Sequence, residues 1–321
     1  MSLGSFTLGS VPLGGSFDRP SVDTNALNAF LYSISSYNLE LIFGLGPGDS
    51  LYHYTDLQGL LGIISDHDLR LTHSLYLNDA EEMIHGYRAA DQVIVDAKSE
   101  KNDPIWAGYL DRLAALLKKP PPQGVYICCF CQKDNLLSQW RSYGANGTGV
   151  SVKFDPQLFS FVTGPDSPHG GMMRLWKVFY NPDQQVNILK SAINFAFEHP
   201  PPGKTAVEDI ARQAADAIEF FIPTFKNPDF TEESEWRLIF TPPPQCPVKP
   251  RFRASRGMLI PYYSLKELSG SITPDGRLPI TGLCIGPSAN KDLNEKSVQM
   301  LLAQAEYSAV KTTASNTPYR G

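Results

Sequence analysis

Much that would place this chain quickly is missing from it. No apolar run reaches the roughly 18 residues that a membrane helix needs, which argues against a spanning helix. Positive charge is not in excess: 28 Lys+Arg against 33 Asp+Glu leave a formal net charge of −5. Sequence-independent binding to nucleic acid or to an anionic membrane surface needs clustered cations, so both are disfavoured as partners. Cysteine is sparse and odd in number, five in 321 residues, with three crowded at Cys128, Cys129 and Cys131. That is not the disulfide framework of a small secreted domain. The first residues, MSLGSFTLGSVPLGGSF, have no basic start and no continuous apolar stretch, so no secretion signal is read there and a cytoplasmic location is expected. Also missing are a GxxxxGK[ST] phosphate loop, a GxGxxG after a strand, an HExxH and a GxSxG. Their absence weighs against P-loop ATPases, Rossmann oxidoreductases, zincins and α/β-hydrolases.

What remains is an ordinary globular composition, 42% hydrophobic and 19% charged, sufficient to bury a sizeable core. Residues 1–23 are Gly/Ser-rich and nearly uncharged, and read as a flexible arm. Residues 24–321 read as one elaborated α+β domain. Leu27, Phe30, Leu31 and Ile34 have helical spacing. A short strand at Leu51–Tyr54 precedes a helix capped by Thr55 or Asp56, with apolar positions Leu57, Leu60, Leu61 and Ile64. A second strand is expected near Leu69–Thr72, reaching towards Tyr76. Asp79 and Glu82 form a capping box for the helix that follows. Further helices are expected over 105–118, twice within 184–222, and over 290–306. Strands are expected at 125–131, 149–154, 174–180, 235–241, 257–261, 280–285 and 309–311. Proline triplets at 120–122, 200–202 and 242–244 punctuate these elements. Strands and helices mix without regular β-α-β alternation, which favours α+β over a doubly wound parallel sheet.

Four short islands carry residue types with chemical potential. His53 lies mid-strand between aromatics; the plain reading is a histidine satisfied by a backbone carbonyl, the functional one a ligand contact. The other histidines lack metal-like spacing and read as surface. Tyr76-Leu77-Asn78-Asp79 with Glu82 is explained by helix capping except at Tyr76 and Asn78. Trp140 and Tyr143 stand at i and i+3 on one side of a helical turn, as core packing or as a platform for a planar cationic ring. In Glu233-Ser234-Glu235-Trp236-Arg237, strand alternation puts Glu235 and Arg237 on one face, as a solvent-exposed ion pair or as a carboxylate oriented by a guanidinium. The Cys128–Cys131 cluster holds one CxxC and no second pair, so a structural zinc site is not supported and buried strand packing is expected.

In order along the chain, these islands resemble a widespread bacterial family, domain-of-unknown-function family 2971. The matching residues are His53-Tyr54-Thr55; Leu77-Asn78-Asp79 with Glu82; Cys129-Phe130 leading to Trp140 and Tyr143; Gly149-Val150 with Phe154; and Glu233-Ser234-Glu235-Trp236-Arg237. The resemblance spans about 51–240, with an echo at Pro318-Tyr319-Arg320, and leaves 241–321 as a C-terminal extension. The same order is similar to the ADP-ribosyltransferase fold in its histidine–tyrosine–glutamate class. That resemblance implies a split, mixed or antiparallel β-sheet core with surrounding helices. It implies NAD as a substrate, no metal, and a macromolecular acceptor, protein or nucleic acid. His53 would hold the nicotinamide ribose, Glu235 would be the late catalytic glutamate, and the stacking tyrosine would be Tyr143, Tyr76 or Tyr54. Glu233 would match the first glutamate of the turn in arginine-modifying members, although those open with arginine where this chain has His53. Tyr54, Thr55, Tyr76, Asn78, Trp140 and Arg237 would complete the NAD-binding set.

The implied activity is ADP-ribosyl transfer or NAD glycohydrolysis, as in toxins or antiviral defence effectors. Breaking the nicotinamide–ribose bond develops positive charge on the sugar, which a nearby carboxylate stabilises. Two alternatives stand beside it: a non-catalytic nucleotide- or protein-binding module of the same fold, and a metal-dependent, nuclease-like enzyme built on Asp79, Glu82 and Glu235.

Overall fold

The computed structural model describes residues 25–31, 33, 45, 48–77, 81–119, 124–156, 171–201, 203, 206–255, 257–269, 273 and 275–318. The expected arm at 1–23, the Asn78-Asp79 step with its capping box, His169 and Tyr319-Arg320 lie outside these residues.

Ten strands among the described residues form one sheet: β1 (Leu51–Thr55), β2 (Arg70–His73), β3 (Tyr126–Cys131), β4 (Val150–Phe154), β5 (Met172–Lys177), β6 (Glu235–Thr241), β7 (Arg251–Ser255), β8 (Met258–Ser264), β9 (Ile280–Ile285) and β10 (Lys311–Ala314). The main order is β10-β9-β4-β1-β3-β2-β8-β7, and β6 bridges β3 to β5. Every pairing is antiparallel except β9 with β10. The expected α+β class therefore holds, as a mixed, largely antiparallel open sheet with helices around it.

The helices are α1 (Leu57–Asp66), α2 (Glu81–Glu100), α3 (Pro104–Leu117), α4 (Leu137–Ser142), α5 (Pro182–Glu198), α6 (Val207–Phe221), α7 (Leu265–Ser269) and α8 (Lys291–Gln304), with residues 25–31 helical as well. Their starts follow from side-chain capping. Asp56 accepts from the Gly59 N–H at 2.6 Å, and Asn181 accepts from Asp183 N–H with Pro182 in the first turn. On α1 the buried positions are Leu60, Ile63 and Ile64, while Leu57 and Leu61 stay exposed. The apolar face is thus rotated from the one the spacing implies. The charged, alternating Arg251–Ser255 was not anticipated as a strand; it forms the sheet edge in a hairpin with β8.

One core lies against the strands, joining Phe130, Trp236, Leu238 and Phe240 with α1, α7 and α8. A second is helical: residues 27 and 30 with α2, α3, α5 and α6, reaching the sheet at Trp176. β6 runs between them and is buried on both faces.

β3 is the branch point. β6 pairs with all six of its residues on one edge. On the other edge β1 meets it at Tyr52↔Cys131 alone, while β2 takes the opposite end at Thr72↔Ile127 and His73↔Tyr126. Between these two contacts the neighbouring strands separate from β3, and the sheet opens.

Candidate active site

A cleft occupies that opening. It is lined by Tyr52, His53 and Tyr54 of β1, Cys129, Phe130 and Cys131 of β3, Gln139 and Tyr143 at α4, and Glu233 and Glu235 at the start of β6. The space inside it that water can enter is about 50 Å³, with a mouth partly open to solvent. That is well below the roughly 300–1,000 Å³ of an enclosed small-molecule site, so a ligand held here would lie largely over the rim.

Strand parity sharpens how these residues meet. Cys131 is paired with Tyr52 on one side and Glu235 on the other, so those three share a face. His53 belongs to the other face with Phe130, whose ring it meets edge-on at 5.8 Å. Only the separation of β1 from β3 lets His53 and Glu235 border one space. In that gap the His53 ring supplies what a strand partner would: Nδ1 donates to the Cys129 carbonyl at 2.8 Å. A carbonyl only accepts, so the proton sits on Nδ1 and Nε2 carries a lone pair. Burial lowers the His53 pKa, with the carbonyl contact acting against it, so the ring is neutral at pH 7.

The acidic wall is a compact charge cluster. Arg237 Nε donates to Glu235 Oε1 and Nη2 to Oε2, each at 2.9 Å, while Nη1 donates to the Pro223 carbonyl. Lys226 Nζ bridges the two acids, 2.5 Å from Glu233 Oε2 and 3.0 Å from Glu235 Oε2. Glu235, Arg237 and Lys226 are 5%, 1% and 2% exposed. Of the two readings of this pair, the solvent-exposed one does not hold, since both residues are buried. The segment Ile222–Lys226, which local alternation cannot reveal, brings a carbonyl and a lysine over that face. Burial pushes the Glu235 pKa up, and the Arg237 and Lys226 charges more than reverse this, lowering it to about 2. Ser234, left-handed at φ 43°, turns the chain between the two glutamates, and Tyr180 Oη accepts from the Glu235 N–H at 2.9 Å. Glu233 is the more exposed acid.

On α4, Gln139 and Tyr143 are the residues that face the cleft. Tyr143 is half-buried, and burial with the nearby Glu233 charge raises its pKa far above the ordinary value, so it stays a phenol. Trp140 turns the other way. It is completely buried, donates Nε1 to Asn135 Oδ1 at 3.0 Å and meets Tyr54 edge-on at 4.9 Å. It cannot stack on a ligand in this arrangement; it supports Tyr54. Tyr54 Oη donates to the Lys133 carbonyl and accepts from Leu136 N–H, each at 3.0 Å, which ties β1 to the loop entering α4. That loop is fastened again at Asn135 Oδ1, which accepts from Ser315 Oγ and Thr317 Oγ1 beyond β10.

Of the sequence-derived candidates, His53, Tyr54, Tyr143 and Glu235 border the cleft, and Arg237 holds Glu235 from behind. Thr55 pairs with Val150 at the end of β1 and does not line it. Tyr76 lies by His73, at the Tyr126 end of β3 and away from the cleft. Asn78 is outside the described residues. Gln139 and Lys226 were not anticipated. Cys129 and Cys131 line the cleft while Cys128 joins the sheet core, as strand alternation implies. Burial raises the thiol pKa of Cys128 to about 12 and of Cys131 to about 11, which keeps both protonated. Among the described residues no group of three His, Cys, Asp or Glu could hold a metal ion, and none of the helices is long and apolar enough to cross a membrane.

A family model described as a protein of unknown function (DUF2971) matches residues 139–238. The matched stretch carries Gln139, Tyr143, Lys226, Glu233, Glu235 and Arg237; His53 lies before it. No curated protein and no solved structure matches the chain.

Proposed function

We propose that the cleft binds NAD by its nicotinamide–ribose end and breaks the bond between them, passing ADP-ribose to a macromolecular acceptor or to water. The observation that supports this most is the convergence of His53, Tyr143, Glu233 and Glu235, from distant parts of the chain, on one small cleft. Tyr143 offers an aromatic face for the leaving ring. The His53 Nε2 lone pair accepts a hydrogen bond from a ribose hydroxyl without bringing positive charge to a site where cation develops.

The two glutamates divide the remaining work. Both Glu235 oxygens are engaged by Arg237 and Lys226, so its field is largely cancelled, and it anchors the cluster. Glu233, nearer the rim, is the acid best placed for the oxocarbenium-like sugar. A carboxylate about 4 Å from that charge at an effective dielectric near 20 interacts by about 4 kcal/mol before screening. Even about 3 kcal/mol is roughly 10²-fold in rate.

The test is incubation with labelled NAD and a cell lysate, following free nicotinamide and label in protein or nucleic acid. Glu233→Gln and His53→Ala should each lower nicotinamide release by about 10²-fold with the fold intact. Unaltered NAD after long incubation, in lysate and in buffer, would remove the catalytic reading. The neutralised Glu235 favours a second one, a nucleotide-binding module without turnover. It expects NAD to bind by calorimetry with no product on chromatography.

A further inference from the structure

Resting on that reading, we propose that Gln139 is the specificity residue of the cleft and that it reads an amide edge on a planar ring. The side chain lines the cleft and the residue is only 7% exposed. Among the described residues no hydrogen-bond partner meets its side-chain amide; only its backbone carbonyl is engaged, by the N–H groups of Tyr143 and Gly144. Unlike the sealed Gln213 Oε1, its amide atoms keep access to the cleft, so water completes them until a ligand does. Nothing inside the protein competes for it.

The shape of the missing partner follows from the donor set. A glutamine side chain presents a carbonyl oxygen and an NH₂ side by side in one plane. Its complement is an N–H donor beside a carbonyl acceptor, also in one plane, giving two parallel hydrogen bonds. Gln139 and Tyr143 stand at i and i+4, so the amide lies one helical turn from an aromatic ring on the same face. A flat ring resting on Tyr143 would point its substituent at Gln139. Two chemistries supply that edge: the carboxamide of nicotinamide, and the lactam edge of a nucleobase such as uracil. The first is the leaving group of the proposed reaction. In either case His53 and Glu233 remain for the sugar, and Gln139 decides which ring enters.

The experiment uses neutral ligand pairs that differ in the donor alone, titrated by calorimetry into the full chain and into Gln139→Met, which keeps an unbranched side chain of similar size. Nicotinamide is compared with 3-acetylpyridine, and uracil with 1,3-dimethyluracil. The wild type should bind nicotinamide about tenfold or more tightly than 3-acetylpyridine, and Gln139→Met should bring the ratio near one. The same pattern with uracil alone supports the role of Gln139, assigns the ring to a nucleobase and overturns the NAD reading. A wild-type ratio near one for both pairs, or a preference that survives Gln139→Met, overturns the role of Gln139. So does an absence of binding at millimolar ligand. Release of nicotinamide from NAD, measured on the same preparations, then decides the parent reading by itself.

Discussion

His53 and His73 sit on neighbouring strands along the same edge of β3, one near each end, and their surroundings differ in charge and openness. His73 is buried among Tyr76 and Tyr126, edge-on to both. Its Nδ1 accepts from the Leu75 N–H at 3.2 Å, so its proton sits on Nε2, the reverse of His53. Burial lowers its pKa to about 4. Its ring neighbours are tyrosines, and Arg253 from the β7–β8 hairpin reaches Thr72 beside it. At the other end, roughly 16 Å along the strand, β1 leaves β3 and four buried or half-buried charges collect. A histidine becomes part of a site here because the strand beside it departs, while its twin stays in an unbroken pairing and serves as core.

The comparison breaks most visibly if the charge cluster is cheap to disturb. Lys226→Met leaves two acids facing one arginine in a buried space and should cost about 3–5 kcal/mol in urea unfolding. A loss under about 1 kcal/mol would mean that solvent screens the cluster, and the contrast between the ends would lapse.

Acid should weaken both ends, in separate windows. A histidine with a lowered folded pKa binds fewer protons than the unfolded chain, so its contribution is complete above pH 6.5 and falls away towards pH 4. For His73 this amounts to about 3 kcal/mol, and His53 adds in the same direction. The lowered Glu235 carboxyl contributes fully above pH 4.5 and is lost towards pH 2, again by about 3 kcal/mol. Stability followed against pH should therefore decline from pH 6.5 downward. His73→Gln should shrink the decline in the upper window to the His53 share and keep the lower one.

Gly124→Ala sharpens the contrast from the His73 end. Gly124 has φ +66°, and an added Cβ would lie 2.1 Å from His73 Nε2. The variant should lose about 2 kcal/mol by thermal unfolding, with ligand affinity at the cleft unchanged. The smallest effect belongs to Ser315→Ala, which removes one donor from Asn135 and should cost about 1 kcal/mol.

Local pattern located the strands well because they are short, dense apolar runs. β6 and β9 match the expected bounds, and β1 differs by one residue. Pattern failed where facing was decided by distant chain. Trp140 with Tyr143 and Gln139 with Tyr143 are both admissible helix faces, since three and four positions fall on either side of a turn. The bulk of tryptophan and the Asn135 acceptor settle the matter, turning Trp140 inward and Gln139 to the cleft. Glu235 and Arg237 alternate as an exposed pair would, but Ile222–Lys226 covers them. His73 was expected at the surface, and Tyr126 of the adjoining strand encloses it. Arg251–Ser255 carries charge at alternate positions because an edge strand tolerates it.

The fastening at Asn135 imposes an order in time. The loop entering α4 leaves the ribosome well before two of the hydroxyls that hold it, on Ser315 and Thr317, which follow Asn135 by 180 and 182 residues. A nascent chain therefore carries its histidine, tyrosine and glutamates well before the entrance between them is locked.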